Sequence, residues 1–353
     1  MTAFDQLVTW RESSTSGEAI RAAVEAAQLV PREVLNALDS ADRIVITGAG
    51  SSYYLAQTVA AASGAIIGRP LVAAPLSELI LRPEGVLSGR FRSAPEPVVI
   101  ISRSGSTSEA VSVATRMRAA GHPTIAVTCR PTSPLAAASD TTLVSPLGDE
   151  SAIVMTRSFA SMLALLLGVI ARIGGVPALG RDLEALTDHW PEAADAAATG
   201  RRLGATDWSR IVVLGGGPAF GIASEWCLKL TETSRVPASA FEPLEFRHGP
   251  ISVCEPGVLV IGLVGGPGAA EEVSVIRESA SLGAETWLIA QSEDELGDAT
   301  GEVSLIGGGL DPAARLPLLV HPAHALALSL ALTRGSDPDA PRHLGQVVIL
   351  DQP

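Results

Sequence analysis

The sequence predicts an α/β protein made of two similar doubly wound domains with parallel sheets. Three observations carry that prediction. The chain has 353 residues, 47% of them hydrophobic and 18% charged, which suits two medium globular domains. It also repeats itself: residues 43–56 read RIVITGAGSSYYLA, and residues 210–223 read RIVVLGGGPAFGIA. A second pair of blocks, 97–128 and 256–290, follows in the same order, with Gly121 answering Gly283. Each block gives a short β-branched run, a glycine-bounded loop and a helix-length segment, the pattern of buried parallel strands joined by crossover helices.

Taken in order, residues 1–39 read as an N-terminal helical arm broken at Pro31, and 40–175 as the first domain. Residues 176–206 are an Ala-rich helical linker and 207–330 the second domain, whose first helix begins near Pro218, a residue suited to a first helical turn. The apolar helix LALSLALTRG, expected to leave residues 325–332 exposed, leads into a C-terminal tail over 331–353. The apolar run Met162–Ala171 is about half of the roughly 20 residues that span a bilayer, and the first residues, with Asp5, are no signal peptide. A soluble, cytoplasmic protein without membrane contact is expected. The net charge of −13 argues against a sequence-independent nucleic-acid binder, which needs a basic face, but leaves room for a small anion in a local pocket.

In doubly wound sheets ligands bind beyond the carboxyl ends of the strands. Two such ends in the first copy are rich in hydroxyls: Gly48-Ala49-Gly50-Ser51-Ser52 and Ser102-Arg103-Ser104-Gly105-Ser106-Thr107. A helix N-terminus with several hydroxyls suits a phosphate monoester, and capping alone needs only one of them. A dinucleotide fingerprint fails because Tyr53 stands where the last small residue belongs. The second copy, GGGPAFG at 215–221 and GLVGGPG at 262–268, has lost the hydroxyls, so one phosphate site per chain is expected.

The second domain offers other groups. Glu225, Lys229 and Glu232 are spaced i, i+4, i+7 and share a helix face. A solvated salt-bridged stripe is the plain alternative. Yet Lys229 is the only lysine among 25 basic residues, which suggests a place where arginine does not fit. His248-Gly249-Pro250 holds a histidine on a turn. His321 and His324 lack a nearby carboxylate for a metal site, and His122 and His189 read as surface residues. Cys129, Cys227 and Cys254 have neither metal nor redox spacing and read as buried thiols, while Trp208 and Trp287 read as core or interface aromatics.

These motifs together resemble the sugar isomerase (SIS) domain family, over residues 40–353. That family includes aminosugar-6-phosphate deaminases, ketose/aldose isomerases and the isomerase half of glucosamine-6-phosphate synthase. The resemblance implies two tandem flavodoxin-like SIS domains. It implies that Ser52, Ser102, Ser104 and Thr107 bind the substrate phosphate and that Ser51 and Glu225 contact the sugar. It further makes Glu232 the base that moves a proton between C1 and C2, Lys229 its neighbour on the catalytic helix, and His248 the ring-opening group. In the family that histidine reaches the neighbouring subunit's site, which implies a homodimer. Two departures stand out: Gln346 replaces a tail lysine that forms a Schiff base, and Thr2 stands where a glutaminase domain has its cysteine. No glutaminase, metal or cofactor is expected. The implied activity is an aminosugar-6-phosphate deaminase/isomerase acting on glucosamine or galactosamine 6-phosphate. The alternatives are an aldose–ketose isomerase of a non-amino sugar phosphate, or a non-catalytic sugar-phosphate sensor.

Overall fold

The computed structural model describes residues 3–69, 71–87 and 95–349. Thr2 and the end of the tail, 350–353, lie outside the described residues. The chain divides into two compact units, each stitched from separate segments.

One unit comprises Ser16–Glu150, Arg157–Glu184 and Gly345–Pro353. Its sheet contains β1 (Ile44–Gly48), β2 (Leu71–Pro75), β3 (Val98–Ile101), β4 (Thr124–Thr128) and β5 (Thr141–Val144), in the order β2-β1-β3-β4-β5. Every pairing is parallel, with Ile46 opposite both Ala73 and Val99, and Val99 opposite Ile125. β1 and β3 are buried along their whole length, as parallel strands covered on both faces must be. Val45, Val98 and Ile100 pack against Leu76, Leu79, Val113 and Met117. The helix Arg157–Ile173 is apolar on nearly every side and accordingly buried from Ser158 to Ala171. It lies against the helix Ser16–Gln28, and Gly168 permits the approach: a Cβ there would stand 2.7 Å from Ala27 Cβ.

The other unit comprises Met1–Thr15, Ser151–Thr156 and Ala185–Leu344. Its sheet contains β6 (Arg210–Gly215), β7 (Ala238–Phe241), β8 (Val258–Leu263), β9 (Glu285–Ala290) and β10 (Glu302–Leu305), in the order β10-β9-β8-β6-β7. All pairs are again parallel. Read from the opposite edge, this is the winding order of the first sheet, and both have the flavodoxin-like order 2-1-3-4-5. The repeat in the sequence is thus a repeat of topology.

The helix His321–Thr333 corrects one expectation. Ala325–Leu328, Leu330 and Ala331 are buried, and only Leu332 of the apolar residues expected to be exposed is so. A helix apolar all round cannot present a polar face to water, so it becomes core. It packs on the helix Trp190–Leu203, where Gly200 and Gly204 bring the backbones together: a Cβ at either would lie 2.6 Å from a carbonyl oxygen, of Pro322 or Leu326. Among the described residues, 316–333 is also the one segment long and apolar enough to cross a membrane, and 89% of it is buried inside the protein.

The helices before β1 are shared out. Ala3–Gln6 and Val8–Ser13 belong to the unit of the second sheet, where the Val8 and Thr9 N–H groups donate to the Asp339 carboxylate at 2.7 and 2.9 Å. Ser16–Gln28 and Arg32–Asp39, with Pro31 as N-cap of the latter, belong to the unit of the first sheet.

Candidate functional site

In the unit of the first sheet, the candidate residues gather at the carboxyl ends of the adjacent strands β1 and β3. Gly48 ends β1, and a Cβ there would lie 2.5 Å from the Ser52 carbonyl carbon, so only glycine lets the helix Ser51–Ile67 start so abruptly. Its N-cap, Gly50, has φ 54° and supplies no side-chain cap. Ser51 and Ser52 occupy the first helical turn and are buried.

The turn after β3 is built from its own polar groups. Ser104 Oγ accepts the Ser106 N–H at 3.1 Å, and the Gly105 N–H donates to Ser102 O. Gly105 has φ 59°, and a Cβ there would collide with Ser133 Oγ. Thr107 is the N-cap of the helix Ser108–Ala119, yet its side chain makes no cap bond. Neither helix start thus carries a side-chain cap bond, Gly50 having no side chain and Thr107 leaving its hydroxyl out of the cap, while Ser104 Oγ is engaged within its own turn.

Sequence reading missed what holds this turn. Arg103 is buried and pairs with Glu150 at 3.4 Å; its carbonyl accepts from Thr128 Oγ1 and the Cys129 N–H. Arg103 Nη2 also donates to Gln346 O at 3.2 Å, and Gln346 Nε2 donates to Glu150 O at 3.1 Å. The tail residue that replaces the expected lysine thus braces the hydroxyl-rich turn. The only sequence signal was an arginine inside a serine run. Burial pushes the nearby Cys129 thiol far above its usual range, so it is inert.

In the unit of the second sheet, the helix Pro218–Ser234 follows β6 directly, with Pro218 at its first position. Its Glu225–Lys229–Glu232 face is not a solvated stripe. Lys229 is 2% exposed, lies 3.5 Å from Glu225 Oε1 and donates to Glu232 Oε2. Glu225, expected to touch the sugar, has no exposed surface, and its Oε1 stands 3.5 Å from Lys229 Nζ. Glu232 keeps part of its side chain open, 20% exposed. With Thr233, Arg235, Ser336, Asp337 and Arg342 it lines a cleft of about 180 Å³. Arg235 ends the helix with φ 58° and donates to Ser336 Oγ at 3.2 Å. Neither cleft arginine stood out in the sequence.

His248 is exposed on the expected turn, its N–H donating to Glu245 O, with Gly249 at φ 130° before Pro250. His321 and His324 are instead core groups. Ser13 Oγ lies 2.8 Å from Nδ1 of both; burial lowers His321 to about 4 and also holds His324 well below the usual imidazole value. Trp208 and Trp287 are buried; Cys227 is buried too, its thiol pushed up to about 12, while Cys254 is half-buried. His122 and His189 are half-buried, bonded to Glu96 O and the Glu192 carboxylate.

Comparison with known proteins gives a consistent picture. The model of the SIS domain matches residues 37–172 and 206–299. Glutamine–fructose-6-phosphate aminotransferase [isomerizing] of Tropheryma whipplei is 30% identical over 88% of this chain and 52% of its own length. The chain spans about half the length of the curated relatives it matches. The structure of glucosamine-6-phosphate deaminase from Thermotoga maritima is 26% identical with a TM-score of 0.76, covering 97% of this chain and 99% of that one. Tagatose-6-phosphate ketose/aldose isomerase from Escherichia coli, 23% identical with a TM-score of 0.83 over 100% and 99% of the two chains, shares the fold.

Proposed function

This chain belongs to the SIS domain family, and on that premise we propose that it is an aminosugar-6-phosphate deaminase/isomerase. It converts a hexosamine 6-phosphate and water to the ketose 6-phosphate and ammonia. The observation that carries this reading is the buried Lys229 held between Glu225 and Glu232, with Glu232 alone open to a cleft. A surface stripe has no use for a buried ammonium; a proton-transfer site does.

Ser52, Ser102, Ser104 and Thr107 take the phosphate at the two helix starts, where the helix dipoles favour an anion. His248 moves the proton of the anomeric hydroxyl to the ring oxygen, opening the ring. Glu232 removes the proton at C2, giving an enolamine, and returns it to C1. The C2 imine that results takes up water and loses ammonia. Lys229, at the Glu232 carboxylate, stabilises the oxyanion that develops at C1. The reading uses no metal or redox cofactor. Likeness to the deaminase over nearly the whole of both chains supports the amino substrate. The proposal includes a cytoplasmic homodimer in which each chain lends its histidine to the partner's site; the turn carrying His248 is exposed, as that exchange requires.

The test is a panel of hexose and hexosamine 6-phosphates, with ammonia and ketose assayed separately. Both products from a hexosamine 6-phosphate are expected. Ketose without ammonia from a neutral hexose phosphate would make the protein an isomerase, and binding without turnover a sensor.

A further inference from the structure

The two sheets offer the same pair of strand ends but fill them differently. Gly50 and Gly217, the helix N-caps at equivalent places, share one conformation: φ 54°, ψ −126° and φ 51°, ψ −120°. Gly48 and Gly215 are pressed alike against the next helix, a Cβ lying 2.5 Å from Ser52 C in one case and from Ala219 O in the other. The backbone cradle is retained in the second copy. Its hydroxyls are not: Ser52, Ser102 and Ser104 align with Ala219, Val264 and Gly266.

What the second copy has gained is carboxylate. Pro75 and Ala110 of the first copy align with Glu242 and Glu272. The Glu272 carboxylate accepts the Gly265 N–H at 3.1 Å, in the turn equivalent to the one at Ser102–Thr107. It also lies over Gly216, where a Cβ would collide with its Oε1 and stand 3.8 Å from Glu242 Oε2. The Gly217 N–H in turn favours the carboxylate form of Glu242. The buried guanidinium of Arg315 faces the same turn, donating to Val264 O and Ile306 O, and a Cβ on Gly265 would lie 3.1 Å from its Nη2. Backbone N–H groups and a cation converge here as they would on a bound anion, and the protein's own carboxylates sit among them.

We propose that Glu242 and Glu272 are built-in anions occupying the second domain's counterpart of the phosphate site, so that each chain admits a single phosphate. The inference rests on the reading that the first-domain turns hold phosphate. Its chemistry is coherent: the carboxylates accept the donors that a phosphate oxygen would otherwise take. Burial raises both carboxyls, while the Gly265 N–H and Arg315 favour the anion of Glu272.

The experiment uses the full chain with E242Q and E272A combined; the second change restores the alanine of the first copy. Inorganic phosphate is titrated calorimetrically, and crystals soaked in selenate locate the anion by its anomalous signal. One phosphate per wild-type chain and two per variant chain are expected, the added anion lying at Gly217 and Gly265. A folded variant that still takes one, or a wild type that takes two, overturns the proposal. Should the double variant not fold, E272A alone is read by the same criterion. A wild type with no phosphate overturns the first-domain reading instead, and the variant's gain at Gly217 still stands or fails by itself.

Discussion

At Lys229 a compact ammonium sits buried between two carboxylates, 3.5 Å from Glu225 and bonded to Glu232. Arginine carries the same charge on a larger planar fork, and this chain uses arginine everywhere else. Lys229→Arg is therefore expected to destabilise the fold by roughly 1–3 kcal/mol through overpacking and to abolish most turnover, measured by urea unfolding and the ammonia assay. Full activity in that variant would leave the solitary lysine without a special role. Glu232→Gln preserves shape and removes the base. Turnover should fall about 10²-fold or more while phosphosugar affinity stays near normal, the usual worth of a positioned general base. An active Glu232→Gln enzyme would place the proton shuttle on another residue.

Among the elements, the helix starts separate structural from functional hydroxyls. A capping threonine contributes about 1 kcal/mol to stability, but Thr107 makes no cap bond. Thr107→Ala should thus unfold at nearly the wild-type urea midpoint while binding phosphosugar several-fold more weakly. A large stability loss with unchanged affinity would show that the residue serves the helix alone. The buried helix His321–Thr333 makes a second case. His321 is packed between Trp10 and Trp190, with ring centroids 5.0 and 4.7 Å away, and burial lowers its pKa to about 4. In the unfolded chain it titrates near 6.5. Between those values the unfolded state binds more protons, so stability present above pH 6.5 is lost as the pH falls towards 4. His324 acts in the same direction, and the raised carboxyls of Glu242 and Glu272 act against it. His321→Phe keeps a ring between the two tryptophans. Its urea midpoint should vary less steeply than wild type from pH 6.5 to 4; an unchanged slope would assign the acid sensitivity elsewhere.

For the whole molecule, the proposed exchange of His248 between subunits makes a sharp demand. A His248→Ala dimer and a Glu232→Gln dimer should each be nearly inactive. Dissociated, mixed and reassociated, they should recover about a quarter of wild-type turnover, because half the dimers are mixed and each mixed dimer has one intact site of two. No recovery from a demonstrably mixed population would confine the site to one chain.

The topology was legible in local sequence pattern. The repeat of RIVITGAGSS in RIVVLGGGPA imposed two sheets of one winding order, because local glycine and β-branched patterning decides where each strand ends and each helix begins. It also placed the hydroxyl turns, the helix from Pro218 and the histidine turn, all of them local features. Which faces are buried depends on packing between elements. Spacing puts Glu225, Lys229 and Glu232 on one side of a helix whether that side meets water or protein. The helix at 325–332 likewise looked exposed until its neighbours were in place. Partners distant in the chain are invisible to any local pattern: Arg103 with Glu150 and Gln346, Ser13 with His321 and His324, Glu272 with Gly265 and Arg315. Periodicity specifies direction around an element's axis; what stands in that direction is specified by packing alone.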